Sequence, residues 1–169
     1  MIVCNLKIYI LSDKKGIGKT TSLQKWVKIN PQLKGFLTPL VNGKRMFQII
    51  ETNDLIPMET KNKNLKIGRY IFDKNSFDKV EKIILKSLFE ENSKTIIVDE
   101  IGPLEINKNK GFHDLVLKLI NGRNFNSDLF FVVRESCLKN FIVKYKPTHF
   151  EILNLKEFNN RYLNKSQFT

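Results

Sequence analysis

This sequence has no cysteine pattern for disulfides, no membrane span and no long basic block, and each of these absences excludes a class of protein. The two cysteines, Cys4 and Cys137, have neither metal-ligand spacing nor a CxxC arrangement, so we expect reduced thiols and no disulfide framework. No apolar stretch is long enough to cross a bilayer, and Lys7 interrupts the apolar N-terminus, which argues against a signal peptide. We therefore expect a cytoplasmic protein with no membrane partner.

The formal net charge of +12 is carried without any run of five Lys or Arg residues. Such a charge favours anionic ligands or partners, and it would assist the capture of nucleotides. Nucleic acid is an alternative partner that this pattern does not favour, because a lysine-rich surface without interleaved aromatics is typical of a solvated face.

The length of 169 residues predicts one domain over residues 1–169. Thirteen phenylalanines and a background rich in Ile, Leu and Val can supply its core. No internal repeat or low-complexity segment divides the chain.

Residues 12–21 read SDKKGIGKTT after an apolar run, which is the strand, loop and helix context of a phosphate-binding P-loop. Gly16 and Gly18 allow backbone N–H groups to converge on phosphate at the positive end of a helix. Lys19 supplies a charge to the β- and γ-phosphates, Thr20 a hydroxyl to Mg²⁺, and Thr21 a further hydrogen bond. The predicted nucleotide-binding residues are Lys14, Lys15, Gly16, Ile17, Gly18, Lys19, Thr20 and Thr21.

Asp13 departs from the pattern GxxxxGK[ST], which has glycine at that position. A carboxylate beside the phosphates should repel them, although Lys14 and Lys15 can offset this charge. We expect Asp13 to weaken the motif without removing it.

The second half of the predicted site is the segment Ile96 to Glu100, which reads IIVDE. Its β-branched run is typical of a buried central strand, and open α/β sheets bind ligands where such strands end. Asp99 is the predicted partner of Mg²⁺, which it contacts through a water molecule, beside Thr20. Glu100 is the predicted catalytic carboxylate that polarises the attacking water.

Hydrophobic periodicity and turn residues predict strands that alternate with helices. Predicted strands and hairpins are residues 6–11, 35–39 (strand or turn), 45–51 after an Asn42-Gly43 hairpin turn, 65–72, 96–98, 129–133 and 150–153. Predicted helices are 19–29, 77–90 with Ser76 as a cap, 112–121, 136–143 and a last short helix. The pattern predicts a three-layer α/β P-loop fold, with a mostly parallel central sheet, helices on both faces and a β-hairpin insertion after the first helix.

The motifs at residues 16–21, 35–39, 68–70 and 99–105 together resemble the small cancer-related nucleoside-triphosphatase family. The segment DEIGPLE at 99–105 is the most specific of them, and the order and spacing match as far as Asn160-Arg161. This resemblance implies a fold related to RecA and AAA+ ATPases. It also implies Mg²⁺-dependent hydrolysis of nucleoside triphosphates to diphosphate and phosphate with broad base tolerance. We expect a monomeric or weakly associating enzyme that acts on free ATP, GTP, CTP and UTP. Asp13, Lys15 and Arg134 depart from the glycine, proline and histidine that are usual in this family.

Charge that develops on the γ-phosphate requires a further cation, which an arginine commonly supplies. The candidates are Arg134, which ends the strand after the Asp99 strand, then Arg69, and then Arg123. Glu105 is a candidate to orient the loop or the water, and neither His113 nor His149 has a visible partner.

Two other functions share these motifs. A small-molecule or nucleotide kinase has the same P-loop and size, but it needs an acceptor site and an arginine-rich lid, and the sequence contains no such arginine cluster. A nucleic-acid-associated nucleotide-binding module would explain the charge, with hydrolysis weakened by Asp13.

Overall fold

The computed structural model describes residues 7–61, 65–68, 70–89, 94–122 and 127–164. The strands in these ranges are β1 (Ile8–Leu11), β2 (Leu33–Leu37), β3 (Leu40–Val41), β4 (Lys44–Ile49), β5 (Leu55–Pro57), β6 (Leu65–Ile67), β7 (Tyr70–Phe72), β8 (Thr95–Ile101), β9 (Asp128–Val133) and β10 (Phe150–Leu153). The helices are α1 (Lys19–Ile29), α2 (Lys74–Ser87), α3 (Pro103–Lys108), α4 (His113–Asn121), α5 (Leu138–Tyr145) and α6 (Leu155–Tyr162), with a 3₁₀ helix at Glu135–Cys137.

An eight-stranded sheet forms the centre of the fold, in the order β10-β1-β9-β8-β2-β4-β3, with β5 paired to β4. The first five strands in this order pair in parallel, whereas β3, β4 and β5 pair in antiparallel fashion. Strand β9 lies between β1 and β8, so the segments that follow these three strands meet at one edge of the sheet. The two halves of the predicted site are therefore brought together.

Helices cover both faces of the sheet because its strands are apolar on both sides. Ile97 belongs to the core cluster that contains Trp26 of α1 and Phe158 of α6. Its neighbours Ile96 and Val98 point to the opposite cluster, which contains residues of α2, α3, α4 and α5. The three layers predicted from the sequence are confirmed.

Several elements have the predicted bounds. Helix α1 begins at Lys19 and ends at Ile29, and β10 spans Phe150–Leu153, as predicted. The Asn42-Gly43 turn joins the antiparallel strands β3 and β4, where Leu40 pairs with Arg45. This β-hairpin follows the first helix, as the sequence indicates.

The single strand predicted over residues 65–72 is wrong, because this segment forms the two-stranded antiparallel ribbon of β6 and β7. The chain reverses at Gly68, whose φ of 56° suits a residue without a Cβ. The strand predicted at residues 35–39 begins earlier, at Leu33.

Helix α2 begins at Lys74, before the predicted start at Phe77, because Asp73 rather than Ser76 caps it. The Asp73 carboxylate accepts a hydrogen bond from the Asn75 N–H at 3.0 Å, which is the usual interaction of an N-cap residue. The Ser76 hydroxyl instead donates to Asp73 Oδ2 at 3.2 Å. The helix ends at Ser87, before the predicted end at Glu90, which itself lies outside the described residues.

Helix α3 was not predicted, and the helix predicted at 136–143 is a 3₁₀ turn followed by α5. Pro103 occupies the first turn of α3, and Glu105 accepts from the Gly102 N–H at 3.0 Å. Both are recognised helix-start signals, so the sequence did contain this information. In the described ranges, no helix has the length and apolarity to cross a membrane.

Candidate active site

The P-loop lies between the end of β1 at Leu11 and the start of α1 at Lys19. Gly16 and Gly18 have φ angles of 81° and 102°, which bend the backbone in a way that other residues rarely adopt. Gly18 is the N-cap of α1. The first amides of α1 therefore face the concave side of the loop, as anion binding requires.

The Lys19 side chain is buried within the loop, and only 8% of the residue is exposed. Its ammonium donates to the backbone carbonyls of Asp13 and Lys14, each at 2.8 Å. These contacts hold the positive charge at the loop that surrounds the predicted phosphate position. Lys14 and Ile17 are exposed at the surface of the same loop.

Asp99 is the buried carboxylate at the end of β8, with 1% of the residue exposed. Its Oδ2 accepts from the Thr20 hydroxyl at 3.1 Å, and from the Thr38 N–H and hydroxyl at 2.9 and 3.1 Å. Burial, followed by the charge of Glu100, raises the pKa of Asp99 to about 6, while the hydrogen bonds oppose the shift. Thr20 and Asp99, the two predicted Mg²⁺ ligands, are thus in direct contact.

Glu100 follows Asp99 through a cis peptide bond, and its side chain is 18% exposed. Its Oε1 lies 3.5 Å from the Nε of Arg134, the residue after β9. The Arg134 backbone N–H donates to the Ile101 carbonyl at 2.9 Å, which fixes this residue beside β8. Among the described residues, Arg134 Nε is one of few buried polar side-chain atoms without a hydrogen bond.

Arg134, the preferred arginine of the sequence prediction, is therefore adjacent to Glu100. Arg69 and Arg123, the other two candidates, lie outside the described residues, and so does Cys4. Cys137 is a buried free cysteine. The His113 Nδ1 lies 2.8 Å from the Tyr145 hydroxyl, a partner that the sequence did not reveal.

Two adjoining cavities open at this edge of the sheet. The larger, of about 580 Å³, is lined by Lys15, Gly16, Gly18, Lys19, Thr20 and Thr21 together with Asp99 and Glu100. The smaller, of about 210 Å³, has mainly apolar walls, and Glu100 and Arg134 are among its polar lining residues. Lys15, Thr38, Arg45 and Glu100 line both cavities.

Two of these shared residues, Thr38 and Arg45, were not predicted as site residues. Thr38 directly follows β2, a parallel neighbour of β8, so the rule that ligands bind at the carboxyl ends of parallel strands could have identified it. Arg45 lies on the antiparallel strand β4, with its guanidinium carbon 5.6 Å from the centroid of the Tyr70 ring. No sequence motif marks it.

Asp13 does not stand as an isolated charge beside the loop. Its carboxylate accepts from the backbone N–H groups of Lys14 at 2.7 Å and of Leu155 at 3.1 Å. These hydrogen bonds, that from Leu155 first, lower the pKa of Asp13. The residue thus connects the P-loop to the first turn of α6.

Glu105 orients the segment that follows the Asp99-Glu100 pair. Its carboxylate is buried and accepts from the N–H groups of Gly102 at 3.0 Å and Phe112 at 3.1 Å, which connects the N-cap residue of α3 with that of α4. Burial raises the pKa of Glu105 to about 7 against these hydrogen bonds. Of the two sequence interpretations, orientation of the loop is the one that these contacts support.

Comparisons with known protein families and structures match nearly the whole chain as well as the site. The sequence model of the NTPase family matches residues 8–166. A search of curated protein sequences gave no significant match.

Two solved structures have a similar fold. The crystal structure of THEP1 from the hyperthermophile Aquifex aeolicus aligns with a TM-score of 0.69 and 21% identity, over 92% of this chain and 93% of that one. The solution structure of a human cancer-related nucleoside triphosphatase aligns with a TM-score of 0.64 and 14% identity, over 94% and 93%. At these identities the similarity establishes the P-loop fold.

Proposed function

Because the chain belongs to the NTPase family, it is an enzyme that hydrolyses nucleoside triphosphates, and we propose that it requires Mg²⁺ and accepts several bases. The products would be nucleoside diphosphate and phosphate. We further propose that residues 1–169 act as one domain and as a monomer.

The contact between Thr20 and Asp99 carries this proposal. The hydroxyl of the first helical turn after the P-loop and the carboxylate at the end of β8 are 3.1 Å apart. Mg²⁺ prefers oxygen ligands and is commonly held by one or two protein groups together with substrate phosphates. Thr20 and Asp99 fit such a site, since they are two oxygen donors beside the predicted phosphate position.

Substrate binding would rest on the loop itself. The backbone N–H groups from Gly16 to Thr21 would bind phosphate oxygens, and the Lys19 ammonium would exchange its carbonyl partners for the β- and γ-phosphates. Bound Mg²⁺ would neutralise charge on the β- and γ-phosphate oxygens. None of these interactions involves the base, which supports a broad specificity.

Glu100 is proposed to accept a proton from the attacking water, because its carboxylate lies next to the Mg²⁺ ligand Asp99 and lines the P-loop cavity. Arg134 would stabilise the charge that develops on the γ-phosphate, and its buried Nε–H is a donor without a hydrogen-bond partner in the described part of the chain. Attack on the γ-phosphorus then breaks its bond to the bridging oxygen of the diphosphate.

Phosphate release from ATP, GTP, CTP and UTP tests this function, with and without Mg²⁺. Wild type should release phosphate from several of the four only when Mg²⁺ is present. Lys19→Ala should lose activity and bind nucleotide more weakly, because it removes the buried ammonium. The control is Lys25→Ala, which removes an exposed lysine from the same helix. Release without Mg²⁺, or from one nucleotide alone, would contradict the corresponding part of the proposal.

A further inference from the structure

The 210 Å³ cavity beside Glu100 has no role in the hydrolysis described above. It adjoins the P-loop cavity, with which it shares Lys15 and Glu100. Much of its wall is apolar and is formed by Met58, Tyr70, Phe72, Phe77 and Leu104. Hydrolysis needs only a water molecule next to the γ-phosphate. The apolar part of its wall is a poor site for water, because an ordered water needs two to four polar partners.

The cavity is also large enough for a small organic ligand. A cavity of about 150 Å³ lined by apolar side chains is sufficient to bind benzene. At about 210 Å³, this cavity can hold a molecule somewhat larger than a single six-membered ring.

The walls are held by the core, so the cavity is preformed. Phe77 is 3% exposed, and its ring contacts those of Phe47 and Phe112, with centroids 4.9 and 4.7 Å apart. Phe72 on the β6-β7 ribbon packs edge-on against Phe77 at 6.1 Å. Preformed apolar cavities with a few converging polar groups are the usual form of small-molecule sites.

The polar groups that line the cavity include the proposed catalytic pair, Glu100 and Arg134. Glu100 lines both cavities, and its Oε1 is 3.5 Å from Arg134 Nε. A ligand with its apolar body against Phe72 and Phe77 would therefore direct a polar substituent towards the same carboxylate that is proposed to activate water.

We propose that this cavity binds a small alcohol with an apolar body about the size of one ring, and that the enzyme transfers the γ-phosphoryl group of a nucleoside triphosphate to its hydroxyl. This inference rests on the proposed function, because it uses the same P-loop and the same Glu100. The alcohol takes the place of the attacking water.

The chemistry balances without any further reactant. The alcohol oxygen forms a bond to the γ-phosphorus while its proton passes to the Glu100 carboxylate. The bond from the γ-phosphorus to the bridging oxygen breaks, and its electron pair leaves with the nucleoside diphosphate. The products are a phosphate monoester and the diphosphate, and Glu100 then releases the proton to solvent.

The test uses the full chain, ATP labelled in its γ-phosphate, Mg²⁺ and three alcohols: benzyl alcohol, 2-phenylethanol and cyclohexylmethanol. The measured quantity is the ratio of phosphate monoester to free phosphate, which does not depend on the fraction of active enzyme. We expect saturable formation of at least one monoester. Toluene, which has the ring without the hydroxyl, should compete with benzyl alcohol and receive no phosphate.

Phe72→Ala should lower the ratio of monoester to phosphate by at least about tenfold, because it removes an aromatic wall of the cavity. The matched control is Phe89→Ala, since Phe89 follows α2 and is 74% exposed. It should leave the ratio unchanged. An equal ratio in Phe72→Ala and wild type would overturn the assignment of the cavity.

The outcomes separate this inference from the proposed function. Phosphate release without binding or phosphorylation of any of the three alcohols would overturn the acceptor site and leave the triphosphatase. Binding with all phosphate going to water would overturn the transfer. An alcohol that competes with ATP instead of receiving its phosphate would identify the cavity as part of the nucleotide site, which also overturns the proposal. If the enzyme catalysed neither hydrolysis nor transfer, that result would contradict both proposals.

Discussion

At the residue scale, Asp13 shows how a departure from a motif can acquire a structural role. A carboxylate next to bound phosphate is unfavourable, yet this one accepts the Leu155 N–H at the start of α6 and the Lys14 N–H in the loop. A negative charge at a helix N-terminus is favourable, and a capping acceptor typically contributes about 1 kcal/mol. The glycine usual in the motif could make neither contact.

We predict that Asp13→Ala lowers the free energy of unfolding by about 1 kcal/mol, because the Leu155 amide loses its acceptor. Asp13→Asn keeps one acceptor oxygen, so its free energy of unfolding should decrease less than that of Asp13→Ala. Urea unfolding of the three proteins measures the difference. Unchanged stability in Asp13→Ala, together with faster hydrolysis, would mean that repulsion of phosphate is the main effect of this carboxylate.

Arg134 is the residue for which the geometry makes the sharpest kinetic prediction. Its Nε lies 3.5 Å from Glu100 Oε1, and an arginine at the transferred phosphate commonly contributes about 10³ to 10⁵ in rate. Arg134→Ala should therefore lower kcat by about 10³ or more, with a smaller change in nucleotide affinity. Arg161→Ala is the control, because that guanidinium pairs with Glu151 on β10. A kcat in Arg134→Ala within a few-fold of wild type would assign the role to another cation.

At the scale of elements, α3 and the segment after β8 depend on one buried carboxyl. Glu105 connects Gly102 with Phe112, and the Lys144 ammonium of α5 donates to the Glu105 and Ile106 carbonyls at 2.9 and 2.7 Å. These contacts fix α3 next to Glu100. Hydrophobic periodicity missed this helix because it is short and periodicity detects long helices best, although Pro103 and Glu105 are start signals that the sequence contains.

The raised pKa of Glu105 predicts a direction of pH dependence. Its pKa rises from an ordinary 4.5 to about 7 in the folded protein, so between these values the folded state holds a proton that the unfolded state has lost. Stability from this group is therefore greatest below pH 4.5 and decreases as the pH rises to 7.

Glu105→Gln removes this titration, although it also loses one acceptor. The stability difference between wild type and Glu105→Gln should consequently narrow as the pH rises through this window, as urea unfolding at several pH values would measure. Glu135→Gln is the control, because Glu135 is exposed. A difference that is constant with pH would contradict the assigned pKa.

At the scale of the whole molecule, the sequence predicted most of the architecture because the sheet is apolar on both faces and its strands alternate with helices. It also predicted that the P-loop and the Asp99-Glu100 pair meet. It missed Thr38, Arg45 and the apolar cavity, since these depend on which strands are neighbours and on the β6-β7 ribbon, which has no counterpart in the predicted single strand. Local patterns report periodicity and motifs, whereas a cavity arises from residues far apart in the chain.

The central claim is that this site hydrolyses nucleoside triphosphates with Glu100 as the general base. Its most direct test is to measure steady-state phosphate release and nucleotide affinity for wild type and Glu100→Gln. Glu81→Gln is the control, because the Glu81 carboxylate on α2 pairs with Lys118 and lines neither cavity. We predict that Glu100→Gln lowers kcat by about 10² to 10⁴ and leaves the affinity for the nucleotide nearly unchanged. Retained turnover in Glu100→Gln would contradict the account.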